Sequence, residues 1–465
     1  MTRQYHLESV LLPEGWARGA LVSVAADGRI DAIEQRHAPE AAELRESERI
    51  AGFVVPGMPN AHSHAFQRGM RGNTEYRLSA RDSFWTWRQA MYALANRIEP
   101  KDLEILATRL FIDMLKSGYT SVAEFHYLHR QPNGDLYPGG NLLWEAIVAA
   151  ARTAGIGLTL LPTLYQTSDF GGQPLKREQA RFGLETEQFL RAVEQRIGEE
   201  RRHASATLRT GAAFHSLRAV PLATLREASI ALRQIDPTLP LHIHVAEQVQ
   251  EVESCKLATG RRPIELLLDT GLLSPHWCLV HATHGTPAEL QGVAASGAAV
   301  CVSISTEANL GDGFFDAAGF LRRGGHVCVG SDSQATVSPA EELRWMEYQQ
   351  RLRKKRRAVL ADQFESHVGT RLWRDAAQHG AQAIGQPAGA IAVGHRADWL
   401  VLDSMHPSMA GASADTALDH LVFAGGDAAI RDVMVAGRWV VKQGHHAAEP
   451  ALRGDFVALM QRLSA

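Results

Sequence analysis

Cysteine is sparse in these 465 residues, and the four present, Cys255, Cys278, Cys301 and Cys328, include no Cys-x-x-Cys pair. That argues against a disulfide scaffold or a clustered-cysteine metal fold. Three of them lie inside apolar strand-like runs, where cysteine acts as a small reduced hydrophobe. Long apolar stretches are missing too: no run of about 18 apolar residues is available to span a bilayer, and no basic start leads into a signal-like segment. Neither a membrane partner nor export is expected, which points to the cytoplasm. Strong charge of one sign is also absent; a net charge of -3 argues against nucleic acid as a dedicated partner. The one basic cluster, Arg351-Leu352-Arg353-Lys354-Lys355-Arg356-Arg357, fits a solvated helix face. Solenoid-period repeats and low-complexity linkers are lacking. What remains, 45% hydrophobic and 21% charged, is an enzyme-sized globule with room for one large domain and a smaller one.

The chain does have polar residues where apolar runs stop. Phe53-Val54-Val55-Pro56-Gly57-Met58-Pro59-Asn60-Ala61-His62-Ser63-His64 is an apolar strand ending in two histidines one residue apart. Strand side chains alternate faces, so His62 and His64 point the same way and form a chelating pair. With 21 histidines some His-x-His pairs arise by chance, and His242-Ile243-His244 is a second one, so the pair alone leaves both explanations open. Three further runs end alike: Leu241-His242-Ile243-His244-Val245-Ala246-Glu247, Trp277-Cys278-Leu279-Val280-His281, and His326-Val327-Cys328-Val329-Gly330-Ser331-Asp332. Burying an imidazole or carboxylate is costly unless it is paired or bound to metal, so the recurrence favours one shared site.

Strand-like runs at 53–59, 120–125, 157–164, 208–214, 239–245, 277–281, 298–304 and 327–330 alternate with helical periodicity at 100–117, 142–154, 180–201, 221–234 and 263–269. Eight strands interleaved with such helices predict an α/β fold, a (β/α)8 TIM barrel, whose function sits at the C-terminal ends of the strands. The chain ends differ: 5–34 and 389–443 are short β-type runs punctuated by glycine. The predicted organisation is a small β-sandwich domain from 1–54 and 388–445, a catalytic barrel over 55–387 and a C-terminal helix over 446–465.

Pro56-Gly57, His62-Ser63-His64, His244 with Glu247, His281 and Asp332 together resemble the amidohydrolase superfamily, and the likeness covers nearly the whole chain. Gly57-Met58-Pro59-Asn60-Ala61-His62-Ser63-His64-Ala65-Phe66-Gln67-Arg68 is similar to the motif of the formimidoylglutamate deiminases. The resemblance implies a metal held by His62, His64, His244 and Asp332, with Glu247, His281 and Asp332 catalytic and a homodimer as the assembly. Imidazoles plus a carboxylate suit one catalytic Zn²⁺, while Fe²⁺ and Mn²⁺ accept the same donors. Binuclear relatives carry a modified lysine where this chain has Phe214-His215-Ser216, which favours one divalent ion. Glu247 also fits a first-turn helix carboxylate, His281 a satisfied core histidine, and His242 stays unassigned. A dicarboxylate substrate needs cationic forks, for which Arg88 and Arg218 are the candidates; the resemblance adds Gln67, Tyr127 and His215 as substrate contacts. The implied reaction converts N-formimino-L-glutamate to N-formyl-L-glutamate and ammonia. Rivals are a deaminase of a purine, pyrimidine or triazine ring and a non-catalytic scaffold on the same fold.

Overall fold

The computed structural model describes residues 2–35, 47–75 and 84–464. Its strands are β1 (Arg3–Leu12), β2 (Gly15–Val24), β3 (Ile30–Gln35), β4 (Glu48–Pro56), β5 (Met58–Ser63), β6 (Tyr119–His126), β7 (Gly157–Leu164), β8 (Leu208–Thr210), β9 (Ala212–Phe214), β10 (Leu241–Val245), β11 (Trp277–His281), β12 (Ala299–Val302), β13 (His326–Val329), β14 (Trp399–Leu402), β15 (Ile430–Val435) and β16 (Arg438–Val441). β5, β6, β7, β9, β10, β11, β12 and β13 pair in that order, all parallel, with β8 added beside β7. Parallel neighbours need long crossovers, which helices such as Pro100–Ser117, Leu142–Ala154 and Leu222–Ile235 supply. The ring closes between β13 and β5: the amides of Ser331 and Asp332 both donate to His62 O at 3.0 Å, and His64 N donates to Asp332 O at 3.1 Å. Gly330 permits that approach, since a Cβ there would lie 2.8 Å from the His62 carbonyl oxygen. The predicted (β/α)8 barrel is therefore the fold.

Both chain ends form the second unit, a seven-stranded sheet ordered β16-β15-β14-β4-β1-β2-β3, antiparallel except between β1 and β4. Trp439 of edge strand β16 lies 6.3 Å ring to ring from Tyr5 of β1. Four strand spacings would put those strands about 19 Å apart in a flat sheet. The sheet therefore folds over its own inner face, and Tyr5, Val22, Val54, Trp399 and Met434 make a core separate from that of the barrel.

Several sequence-predicted elements are corrected. The run 53–59 is not one strand: β4 belongs to the small sheet and β5 to the barrel, with the switch at Gly57. There the Gly57 amide donates to Asp398 O in the small sheet, and the next amide, Met58, donates to Gly118 O in the barrel. Any side chain at 57 would collide with Thr120. Gly211, pressed against Leu161 and Pro240, splits 208–214 into β8 and β9. The helix expected over 180–201 is a 3₁₀ turn, Arg177–Phe182, followed by Thr186–Arg202. The buried Arg181 side chain donates to the carbonyls of Arg130, Ala95 and Ile98, which holds that turn against the barrel. The run 298–304 ends early, because the chain turns into a helix at Ile304–Leu310.

Arg396 locks the two units together. It is 1% exposed, its Nε donates to both Asp398 carboxylate oxygens at 2.9 and 2.8 Å, and Nη1 reaches Ala206 O at 3.2 Å. Removing one partner of a buried ion pair strands the other, so Arg396→Ala is expected to lose about 3–5 kcal/mol of unfolding free energy in urea melts. A loss below about 1 kcal/mol would show the pair to be dispensable.

Glu342, on the helix Pro339–Lys354, is buried and accepts from the Ser305 amide at 3.1 Å and from the Ser305 hydroxyl. Burial pushes its pKa from 4.5 up to about 8. Between those values the folded chain holds a proton that the unfolded chain has lost, so this group's contribution to stability falls as pH rises through that window. Glu342→Gln is expected to flatten the decline in urea midpoint from pH 5 to 8. Parallel curves for the two proteins would contradict the assignment.

Candidate active site

Three histidines and an aspartate converge at the C-terminal rim of the barrel. His62 lies in β5, His64 one residue past it, His244 in β10, and Asp332 just beyond β13. Nε2 of His244 is 3.1 Å from Nε2 of His62 and 3.3 Å from Nε2 of His64. Asp332 Oδ1 lies 3.4 Å from His62 Nε2 and 3.5 Å from His64 Nε2. A tetrahedral ion with arms of about 2.0–2.1 Å needs donor separations of about 3.3–3.4 Å. The tautomers agree: Nδ1 of His64 donates to Phe125 O and Nδ1 of His244 to His215 O, each at 2.8 Å. Their Nε2 atoms therefore carry lone pairs that face each other, an arrangement that repels unless a cation lies between. Burial holds His64 down at about 3 and His244 well below the ordinary imidazole range, which keeps both in the neutral ligating form. Burial opposes ionisation of Asp332, but contact with His62 and the neighbouring imidazoles outweighs it and keeps the carboxylate ionised.

Backbone strain sits on the same rim. Ala246, His281, Ala282, Asp332 and Gln334 all have positive φ, between 43° and 71°, a region that costs non-glycine residues energy and persists only where surrounding structure enforces it. At β10 the enforcement is visible: Glu251 reaches back from helix Val249–Thr259 and accepts from the amides of Ala246 and Glu247 at 3.1 and 2.9 Å. The first-turn carboxylate is thus Glu251, and Glu247 precedes the helix. The Glu247 carboxylate lines the cleft, with Oε1 3.8 Å from His281 Nε2. Burial raises its pKa to about 7, against the pull of His281.

His281 is not a bystander in the core. Its Nδ1 is 3.2 Å from Glu307 Oε1, while Nε2 faces Asp332 Oδ2 at 3.7 Å as well as Glu247. Burial disfavours its charge, but the carboxylates of Glu247, Glu307 and Asp332 prevail and raise it to about 10. Glu307 was missed at the sequence level, although it follows β12 as the other functional residues follow their strands. His242, left unassigned, reaches downward: Nε2 bonds Ala383 O at 2.8 Å, away from the ligand cluster.

The cleft above this cluster is lined by His64, Gln67, Arg88, Tyr127, His215, Arg218, His244, Glu247, His281 and Asp332, among others. All the sequence-predicted site residues are there except His62, which lies beneath. Gln67 Nε2 donates to the Tyr127 hydroxyl at 2.9 Å, and Tyr127 packs 5.0 Å from the His64 ring and 5.3 Å from that of His215. The segment carrying Arg88 is a helix, Phe84–Ala95, and it brings Phe84, Trp87, Arg88 and Met91 over the opening. Arg88 and Arg218 converge on one neighbour, the Tyr165 hydroxyl, at 3.3 and 3.5 Å.

A closed parallel barrel with converging imidazoles and a carboxylate on its C-terminal rim belongs to the class of barrel hydrolases. The amidohydrolase family profile matches residues 53–440, and the chain is a member of that family. It is 47% identical over 456 residues, 98% of each chain, to the formimidoylglutamate deiminase of Pseudomonas aeruginosa. Among solved structures, an amidohydrolase from Brucella melitensis is 40% identical, with a TM-score of 0.92 and complete coverage of both chains. An adenosine deaminase from Xanthomonas campestris with bound zinc shares the fold at a TM-score of 0.80 and 20% identity, covering 99% of this chain and 98% of that one. Among the described residues, no helix is long and apolar enough to cross a membrane.

Proposed function

We propose that the chain hydrolyses N-formimino-L-glutamate to N-formyl-L-glutamate and ammonia, a step in histidine breakdown. The observation that carries this is the pair of guanidiniums, Arg88 and Arg218, lining the same cleft as the ligand cluster and sharing a neighbour. Two cationic forks suit two carboxylates, and the relative at 47% identity bears the corresponding name. A nucleobase ring offers them no carboxylate to pair with.

His62, His64, His244 and Asp332 would hold a divalent ion, most simply one Zn²⁺, which would supply a Lewis acid able to make hydroxide available near neutral pH. The remaining work falls to the protein. Asp332 and Glu247 are the two carboxylates able to take the proton as water adds to the formimino carbon. Glu247 returns one to the nitrogen, the C–N bond breaks, ammonia leaves and the formamide remains. His281, oriented by Glu307, presents Nε2 to the developing tetrahedral centre. Gln67, Tyr127 and His215 shape the pocket around the formimino end. The same reading takes the enzyme to act in the cytoplasm as a homodimer, which gel filtration and scattering in solution test.

Ammonia release from N-formimino-L-glutamate, set beside guanine, adenosine and cytosine, decides the substrate; faster turnover of a base would overturn the assignment. Arg218→Met is expected to lower kcat/KM for the dicarboxylate by about 10²-fold, the scale of removing one partner from a buried charge pair. Unchanged kcat/KM would remove Arg218 from the site.

A further inference from the structure

Ser63 stands between the two histidines of the first ligand pair, and nothing in the strand-end pattern explains a hydroxyl there. Side chains alternate along a strand, so Ser63 points away from the ligand cluster. It meets Glu124 of β6 and Gln334, and all three side chains are buried. The Ser63 hydroxyl donates to Glu124 Oε2 at 2.8 Å and accepts from Gln334 Nε2 at 3.0 Å. Glu124 Oε1 accepts from the Ala65 amide at 2.6 Å. The other hydrogen of Gln334 Nε2 goes to the Asp332 carbonyl at 2.7 Å, so every donor in this relay has its acceptor.

Glu124 thereby clasps the chain on both sides of His64, at Ser63 and at Ala65, where the 3₁₀ turn Ala65–Met70 begins. Gln334 carries the link on to Asp332, so one run of side-chain bonds joins the rim of β5 to the rim of β13. The backbone ladder is irregular at the same place. Asn60 pairs with Val122 and Ser63 with Glu124, so three residues of β5 advance against two of β6 across His62. Gln334 is held there against two penalties: its φ is 67°, and its buried Oε1 has no partner among the described residues. Strain and an unsatisfied oxygen of this kind collect where the surrounding structure enforces a functional geometry.

We propose that Ser63, Glu124 and Gln334 are positioning residues that hold His62, His64 and Asp332 at coordination spacing before an ion binds. The inference rests on the reading of those groups as a metal site and is independent of the substrate. Facing lone pairs on His64 and His244 push an ion-free cluster apart. A brace that opposes this spreading reduces the rearrangement that binding requires.

The test is the Zn²⁺ affinity of the full-length chain, stripped of metal and titrated in competition with a chromophoric chelator. Ser63→Ala removes the junction of the brace, and its dissociation constant is expected to rise about 10–100-fold, the range for groups that orient metal ligands. Gln334→Met breaks only the link to Asp332 and is expected to weaken binding by about 10-fold. Ser63→Thr keeps the hydroxyl and is expected to stay within about 3-fold of wild type. Loaded with Co²⁺, Ser63→Ala is expected to show a shifted visible spectrum, because those absorption bands follow ligand geometry. A mere packing role would move urea midpoints and leave spectrum and affinity alone. Should Ser63→Ala fail to fold, Gln334→Met carries the test. Dissociation constants within about 2-fold of wild type for both Ser63→Ala and Gln334→Met overturn the proposal, as does an equal loss in Ser63→Thr. A wild-type chain that binds no Zn²⁺ brings down the metal site and the brace together, whereas tight wild-type binding with unchanged variants removes the brace alone.

Discussion

Glu247→Gln is expected to lower kcat by about 10³-fold with KM nearly unchanged, the scale on which a positioned proton carrier contributes to such a reaction. Glutamine keeps the shape and the acceptor oxygen, so the loss reports proton transfer alone. The carboxylate is placed for it: half-buried in the cleft, 3.8 Å from His281, with its backbone held by Glu251. Its pKa of about 7 lets it accept and release a proton at neutral pH. A variant retaining more than about a tenth of wild-type kcat would leave Asp332 as the sole proton acceptor.

Stripping divalent ions with a chelator is expected to abolish activity, and one equivalent of Zn²⁺ per chain is expected to restore it. The loss should reach about 10³-fold or more, since a Lewis acid contributes several kcal/mol to the transition state. His244→Asn tests the same point from the protein side. It removes the Nε2 that stands within 3.3 Å of both other imidazoles, so elemental analysis should find little metal on a folded chain. One ion per chain is expected because, by likeness to the binuclear relatives, Phe214-His215-Ser216 stands where they carry a bridging lysine. Two tightly held ions, or full activity in the stripped protein, would contradict this.

The barrel and the convergence of His62, His64, His244 and Asp332 were legible for a common reason. Parallel strands buried on both faces are apolar runs, and a polar residue that ends one is conspicuous. His62, His64, His244, His281 and Asp332 are all of this kind. The switch at Gly57 was hidden because the run stays apolar as it passes from one sheet into the other, and only the clash with Thr120 reveals why glycine is there. Glu247 was ambiguous until Glu251 proved to be the first-turn acid. Glu307 and Tyr165 follow their strands as the recognised residues do, yet their partners lie far away in sequence. Arg181 broke a helical pattern by bonding three carbonyls that no local periodicity reports.

The Gly57 switch also bears on biosynthesis. β4 lies between β1 and β14, and residues 399–402 are synthesised long after β4 itself. The strand directly before the one that carries His62 therefore lacks that neighbour until β14 has been made, and the barrel seam at Asp332 also waits for residues far downstream. Nascent chains should consequently gain ion affinity only after residue 332 has emerged, in contrast to proteins whose amino-terminal portions mature early in elongation.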